Sequence, residues 1–125
     1  MPALPGNVSE AWETREGPIV LTTVDNNGNP NSIYAGCVKK YAEDKLVVVD
    51  NFFDKTRANI LAGSRGVVLF LTKDRKAFQV KGSVDYENSG PIFDDMKEWI
   101  DPKLPGLAVA VVNVEEVFSG ADKLL

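Results

Sequence analysis

The residues best suited to hold an anion stand in one turn, Asp54-Lys55-Thr56-Arg57, between an apolar segment and a short helical one. A dianionic phosphate needs cations and hydrogen-bond donors at fixed positions, and the start of a helix adds free backbone N–H groups. Lys55 and Arg57 supply charge, and Thr56 supplies a hydroxyl. The same residues also fit an ordinary solvated helix start, and the Asp54 carboxylate opposes an anion. Spacing alone leaves both interpretations open.

Two strand-like segments carry polar groups that could also face a ligand. Gln79 and Lys81 share one face of their segment, and the common explanation for such alternation is a strand with one face in water. Ser32, Tyr34 and Gly36 alternate with Ile33 and Ala35 on the second predicted strand. Backbone donors and acceptors at a sheet edge there could meet a flat heterocycle, which the sequence permits without requiring.

Four aromatic side chains could stack on a planar ring: Trp12, Phe52, Phe53 and Trp99. In a small domain such residues more often belong to the core or to an interface. Cys37 is the only cysteine, which excludes an internal disulfide, and we expect it to be a small buried hydrophobic residue.

The chain of 125 residues contains no histidine. This removes His-based triads, the usual zinc sites and the commonest general acid or base, so any chemistry would depend on a bound cofactor. The net charge of −4 argues against nucleic-acid binding through a broad basic face. No apolar run approaches the roughly 20 residues that cross a bilayer, and the N-terminus does not resemble a signal peptide. We therefore expect one cytoplasmic domain, residues 1–125.

Three short helices are predicted. Asn7 or Ser9 would cap the first, which runs to about residue 15, and Asp54 would cap the second, with Ile60 and Leu61 facing inward. The third opens at Ser89 or Pro91. Its buried stripe consists of Ile92, Met96, Trp99 and Ile100.

Six strands are predicted, and Asn27-Gly28 is a hairpin signal between the first two. We expect a mainly β fold: a six-stranded antiparallel split barrel of the Greek-key type with short peripheral helices. The predicted strands span residues 18–24, 31–41, 46–50, 66–72, 77–86 and 107–118.

Taken in order, these segments resemble the FMN-binding split-barrel family related to pyridoxamine 5'-phosphate oxidase, and in length and layout its small bacterial FMN-binding members. The resemblance covers nearly the whole chain and is most specific at the third strand followed by DKTRAN. The segments that carry it are PIVLTTVDNNGNPNSIYAG, KLVVVDNFFDKTRANI, GVVLFLT, AFQVKGSV and LAVAVVNVEEV.

The resemblance implies a cofactor, FMN, and a set of binding residues. Lys55 and Thr56 would hold the phosphate, with Asn59 or Arg57 nearby. The end of the third strand would run along the flavin or its ribityl chain through Val49, Asp50 and Asn51. The second strand would supply backbone contacts to the ring through Asn31, Ser32, Ile33, Tyr34 and Ala35. Gln79 or Lys81 would approach the ring from the fifth strand.

The resemblance also implies a homodimer with FMN at the subunit interface, so Trp99 and residues 104–107 could belong to the partner's site. Many oxidases of the family carry an arginine where Asn31 or Ser32 stands here, which leaves more of the phosphate to Lys55. Asp54 replaces the small or neutral residue often found before the basic pair. The C-terminal extension with Arg and His that grips pyridoxal phosphate is missing, so we expect no pyridoxamine phosphate oxidase activity.

These features favour a small flavin oxidoreductase or electron-transfer protein, served by a redox partner or NAD(P)H. An alternative is a non-catalytic module that stores FMN or holds another planar or phosphorylated ligand, such as a deazaflavin or haem. For haem, Cys37, Met96 and Tyr34 are poor ligands. A third alternative is a barrel that acts only in protein association.

Overall fold

The structure, a computed structural model, describes residues 2–125. It is mainly β, with ten strands and three short helices. The helices are α1 (Gly6–Glu13), α2 (Lys55–Leu61) and α3 (Pro91–Trp99). The strands are β1 (Ile19–Val24), β2 (Pro30–Ala35), β3 (Val38–Ala42), β4 (Lys45–Asp50), β5 (Gly66–Leu71), β6 (Ala77–Gly82), β7 (Val84–Glu87), β8 (Ala108–Asn113), β9 (Glu116–Ser119) and β10 (Asp122–Lys123).

The strands form two antiparallel sheets. The larger sheet has the order β10-β9-β6-β5-β1-β2, and the smaller has the order β3-β4-β8-β7. β2 therefore forms one edge of the larger sheet, and in the described chain only one of its sides pairs with another strand, β1.

Three of the six predicted strands are each divided between the two sheets. The segment 31–41 breaks after Ala35, 77–86 breaks at Ser83, and 107–118 breaks at residues 114–115. In each case one half pairs in the larger sheet and the other in the smaller. These three breaks, together with the short β10, turn six predicted strands into ten. Closure into a six-stranded barrel stays a prediction.

Gly82 lies where the chain leaves the larger sheet. A Cβ atom added there would lie 1.6 Å from the backbone oxygen of Asn113. Asn113 N in turn donates to the carbonyl of Ser83 at 2.9 Å. Because two backbones meet without room for a side chain, only glycine fits at this corner.

The main core lies between the two sheets, and a smaller apolar cluster lies on the other face of β4 and β8. Leu46 and Val48 point into the main core, whereas Val47 and Val49 pack under α3 with Met96. β4 is thus covered on both faces, which explains its uninterrupted apolar sequence. The predicted inward stripe of α3 is confirmed, since all four of its residues lie in or against this second cluster.

The helix ends differ from the prediction. α1 begins after Pro5 with no side-chain cap, so neither Asn7 nor Ser9 caps it. Asp54 occupies the position before α2, but its side chain caps nothing, because the carboxylate makes no hydrogen bond to the helix start. Leu61 is 65% exposed, so only Ile60 faces inward as predicted. Among residues 2–125, no helix has the length and apolar character needed to cross a bilayer.

The first hairpin is present but uses a longer turn than a two-residue one. The Asp25 carboxylate accepts hydrogen bonds from Asn27 N and Asn29 N at 2.8 and 2.9 Å. Within residues 25–29, only Gly28 has a positive φ, at 83°. The side chain of Asp25 therefore organises the turn that lets β2 return along β1.

Replacing Gly82 by alanine tests the close approach of the sheets. Because the added methyl group would clash with a backbone oxygen, we expect the free energy of unfolding to fall by about 3 kcal/mol or more. Urea denaturation measures this. Gly6→Ala is the control, since an added Cβ there has no atom within 4 Å and should leave stability nearly unchanged. Equal stability of the two variants would contradict this account of the corner.

Candidate functional site

An open cleft of about 370 Å³ lies between the edge strand β2 and the turn that joins β4 to α2. Its volume falls in the range of pockets that bind cofactors and other small molecules. The lining residues are Asn31, Ile33, Tyr34, Ala35, Gly36, Cys37, Val49, Asn51, Phe52, Phe53, Asp54, Lys55 and Thr56.

The two ends of the cleft differ in chemistry. At one end, Asn31 Nδ2 donates to Thr56 Oγ1 at 3.0 Å, next to the exposed Lys55. Thr56 is only 1% exposed, and accepting this bond leaves its own hydroxyl proton to be donated. At the other end, the backbone of Cys37 accepts a hydrogen bond from Val49 N at 2.9 Å. The cleft therefore runs from a polar end, which carries both Lys55 and Asp54, to a mostly apolar end around Cys37 and Val49.

The walls of the cleft offer a sheet edge and two exposed aromatic rings. The unpaired side of β2 can present backbone donors and acceptors to a ligand. Tyr34 and Phe52 both line the cleft, and each is 79% exposed. Exposed aromatic rings beside an unpaired strand can bind a flat heterocycle by stacking and hydrogen bonding together.

The Asp50 carboxylate lies directly beneath the cleft and is fully buried. Its Oδ1 accepts hydrogen bonds from Phe53 N and Arg57 Nη2, both at 3.0 Å. Its Oδ2 accepts from Arg57 Nε at 2.7 Å and from the Tyr86 hydroxyl at 2.5 Å. This network ties the end of β4 to the turn, to α2 and to β7.

Burial by itself raises the pKa of Asp50, but hydrogen bonds from Arg57, Tyr86 and Phe53 N outweigh it and lower the pKa overall. The hydrogen bond to Asp50 raises the pKa of Arg57. Burial, followed by the bond to Asp50, raises the pKa of Tyr86. At neutral pH the site under the cleft is thus an ionised pair with a neutral phenol.

Asn51 connects the cleft to the loop after α3. Its side-chain oxygen accepts a hydrogen bond from Gly106 N at 2.9 Å, and Leu107 N donates to the carbonyl of Asp50 at 2.9 Å. The segment 104–107 is therefore attached to the end of β4 within its own chain.

The structure brings eight of the fourteen predicted site residues to the cleft wall. Three more lie close by but use their side chains elsewhere. Asp50 is engaged as described, Asn59 donates to Thr23 Oγ1 at 3.0 Å, and the Ser32 hydroxyl bonds that of Thr22 at 2.8 Å. Asn31, Ile33, Tyr34, Ala35, Val49, Asn51, Lys55 and Thr56 are the eight at the wall.

The other three predicted residues lie outside the cleft of their own chain. Gln79 and Lys81 lie on β6, on the outer face of the larger sheet. Trp99 packs beside the second apolar cluster, and its Nε1 donates to Asp95 at 3.3 Å.

The outer face of the larger sheet carries a continuous row of side chains. Each residue of the row pairs with the next one on the neighbouring strand, so all five lie on one face. In order across the sheet they are Tyr34, Val20, Leu69, Gln79 and Phe118. Tyr34 belongs both to this outer row and to the cleft wall.

Gly36, Cys37 and Asp54 also line the cleft but were not among the fourteen predicted binding residues, although Gly36 was considered on the second strand and Asp54 in the anion-binding turn. Gly36 and Cys37 line the cleft because β2 ends there and the chain crosses to the other sheet. Cys37 is partly exposed rather than buried as predicted. The glycine before it was the one available signal of a strand end.

The aromatic candidates separate into two groups. Trp12 and Phe53 are 2% and 8% exposed and belong to the main core. Phe52 instead projects from the turn and is free to contact a ligand.

The geometry is that of a two-sheet antiparallel β protein whose small-molecule cleft opens beside an edge strand. The sequence model for pyridoxamine 5'-phosphate oxidase matches residues 7–119, and the chain belongs to that family. An uncharacterized protein of Methanocaldococcus jannaschii is 24% identical over 116 residues, covering 88% of this chain and 78% of that protein.

Solved structures confirm the fold. HupZ of Group A Streptococcus superposes with a TM-score of 0.80 at 19% identity, covering 93% of each chain. An FMN-binding protein of Syntrophomonas wolfei superposes with a TM-score of 0.74 at 20% identity, covering 90% of this chain and 83% of that one.

The Asp50 network predicts a pH dependence of stability. The pKa of Asp50 is lower in the folded protein than its ordinary value of about 4. The ionised carboxylate therefore stabilises the fold fully at a pH above that ordinary value, and this stabilisation is lost as the pH falls through the lowered pKa. Asp50→Asn should lower the free energy of unfolding at pH 7 by about 3 kcal/mol. It should also lose less stability than the wild type between about pH 5 and pH 2.

Urea denaturation at a series of pH values measures both effects. Asp122→Asn is the control, because this exposed residue lies in the short strand β10 and should follow the wild-type curve. An Asp50→Asn curve parallel to the wild type at every pH would show that the buried carboxylate does not contribute to the acid response.

Proposed function

We propose that this protein binds FMN non-covalently in the cleft beside β2 and acts as a small flavin oxidoreductase or electron carrier. The observation that carries the proposal is the polarity of the cleft. A phosphate-compatible end formed by Lys55, Thr56 and Asn31 leads along an unpaired strand to an apolar end. FMN has the same order of parts, from phosphate through the ribityl chain to a planar ring.

The residues present fit the two ends of this cofactor. Lys55 is the cation among the cleft-lining residues, and the Thr56 hydroxyl can donate a hydrogen bond beside it. At the ring end, the unpaired backbone of β2 can hydrogen-bond to the heterocycle, and Tyr34 or Phe52 can cover a face. The name of the Syntrophomonas wolfei neighbour, an FMN-binding protein, supports the same ligand.

A bound flavin accepts and donates electrons singly or as a hydride, so the protein has to bind it, orient it and set the polarity around it. None of the residues at the cleft wall needs to act as an acid or base in this function. We further propose that the protein lacks pyridoxamine phosphate oxidase activity, in keeping with the absence of histidine from its sequence.

We also propose that two copies associate through the outer face of the larger sheet. This face exposes apolar side chains, including Tyr34, Leu69 and Val24, which are 79%, 37% and 40% exposed. Tyr34 lies at the border between the face and the cleft, so a second copy on the face would also cover the cleft opening. Gln79 and Lys81 would then reach a flavin only from that second copy.

An absorption spectrum and an FMN titration test the cofactor. The purified protein should show visible flavin bands, or acquire them with FMN. Lys55→Met should weaken FMN binding about 10- to 100-fold, because a hydrogen bond to a charged group is lost. Lys73→Met, which removes the same charge from the turn between β5 and β6, is the matched control and should bind FMN like the wild type.

A protein indifferent to FMN, or one that prefers a 5-deazaflavin, would contradict the proposed cofactor. If the protein does bind FMN, reduction of the loaded protein by NAD(P)H or by another electron donor distinguishes a redox role from storage. A flavin that stays oxidised with every donor, at rates no faster than free FMN, would favour storage.

Sedimentation and FMN binding together test the association. Leu69→Glu places a charge in the middle of the apolar face, so we expect a shift from dimer to monomer and weaker FMN binding. Tyr41→Glu is the control, because Tyr41 is 38% exposed, similar to Leu69, but lies in the other sheet. Dimers that survive Leu69→Glu with unchanged FMN affinity would place the interface elsewhere.

A further inference from the structure

Helix α2 carries two cations close together in sequence, and the structure assigns them different partners. Lys55 and Arg57 are two residues apart, so their side chains point to roughly opposite sides of the helix. Lys55 lines the cleft, whereas Arg57 does not. Arg57 instead points beneath the turn, where its guanidinium binds the Asp50 carboxylate, which also accepts a hydrogen bond from the Tyr86 hydroxyl.

The Arg57 guanidinium is bound in a two-pronged geometry. Its Nε and Nη2 donate to the two oxygens of Asp50 at 2.7 and 3.0 Å. Because Asp50 is fully buried, moving Arg57 toward a ligand would leave an unpaired carboxylate inside the protein, which is strongly unfavourable. Arg57 is therefore held away from the cleft as long as Asp50 is ionised.

The charge balance of the cleft follows from this pairing. Asp50 and Arg57 cancel beneath it, and the exposed Asp54 and Lys55 cancel along its wall. The fixed charge presented to a ligand is close to zero. A dianionic group would meet one lysine rather than the two or three cations that a strong phosphate site provides.

We propose that Asp50 is a specificity-determining residue: by retaining Arg57, it leaves the phosphate of the ligand to Lys55 alone and limits the preference of the cleft for FMN over its dephosphorylated form, riboflavin, to the contribution of one cation. This inference rests on the proposed flavin function. Arg57 becomes a positioning residue that shapes the turn rather than a phosphate ligand. The ring and the ribityl chain, which both ligands share, then supply most of the affinity.

The ratio of the FMN and riboflavin affinities measures the contribution of the phosphate. For each variant, circular dichroism first shows that the protein is folded. Fluorescence titrations with FMN and with riboflavin at pH 7 then give the ratio of the two affinities. The wild type should prefer FMN by no more than about 100-fold, the effect of one charged hydrogen bond. Lys55→Met should remove most of this preference and leave riboflavin binding unchanged.

Two variants of the buried pair test the role of Asp50 itself. Asp50→Asn releases Arg57 without removing it, so the preference for FMN should rise about two- to fivefold, the effect of one additional exposed cation. The double variant Asp50→Asn, Arg57→Met removes both charges and leaves no unpaired ion. It should keep the wild-type preference even if both affinities fall together, because a distorted turn weakens the two ligands equally.

Two results would overturn the inference. One is a double variant that loses the FMN preference while still binding riboflavin, which would make Arg57 a phosphate ligand. The other is a wild-type preference clearly above about 100-fold, which a single lysine does not provide. Failure of the proposed function is a separate result, in which neither flavin binds.

Discussion

A carboxylate inside a protein is tolerated only where donors surround it, and Asp50 meets this requirement with groups from three parts of the chain. The turn gives Phe53 N, α2 gives Arg57, and β7 gives the Tyr86 hydroxyl. Each of these donors is fixed in place by the cost of leaving the carboxylate unpaired. The turn that carries Phe52 and Lys55 is thereby held against β4, and the cleft above it keeps its shape.

The cleft lies at the junction of the two sheets because its two walls come from different sheets. β4 belongs to the smaller sheet and β2 to the larger one, and the chain passes from one sheet to the other through Gly36 and Cys37. Up to this crossing, the backbone groups on the open side of β2 have no strand partner. Where water or a ligand can reach them, these groups become a binding surface, and the Asp50 network keeps the opposite wall at a constant distance.

Part of the cleft could be predicted from the sequence, because the side chains involved are close together in the chain. Lys55 and Thr56 lie at the start of α2, where their charge and hydroxyl are visible without a structure, and the alternation along β2 correctly indicated a strand beside them. The pairing of Asp50 with Arg57 was not predictable in the same way, because it depends on Tyr86, 36 residues further along, and on complete burial. The division of three long strands was hidden for a related reason. In the segment 77–86, for example, the alternation of Phe78, Val80, Val84 and Tyr86 continues through the break, and only the close approach of Gly82 to Asn113 shows why the chain turns there.

Tyr34 links the proposed flavin cleft to the proposed association of two copies. Its side chain lies in the outer row of the larger sheet and also at the cleft wall, so whatever covers the row changes the surroundings of a ligand in the cleft. By thermodynamic linkage, a ligand that contacts a second copy would strengthen association to the same extent that association strengthens its own binding. A cleft of nearly zero fixed charge suits such an arrangement, since its affinity would then depend on covering the planar ring rather than on attracting an anion from solution. In that case the apolar face and the buried Asp50 would serve one purpose: they would shift recognition from the phosphate to the ring, where the proposed redox chemistry would take place.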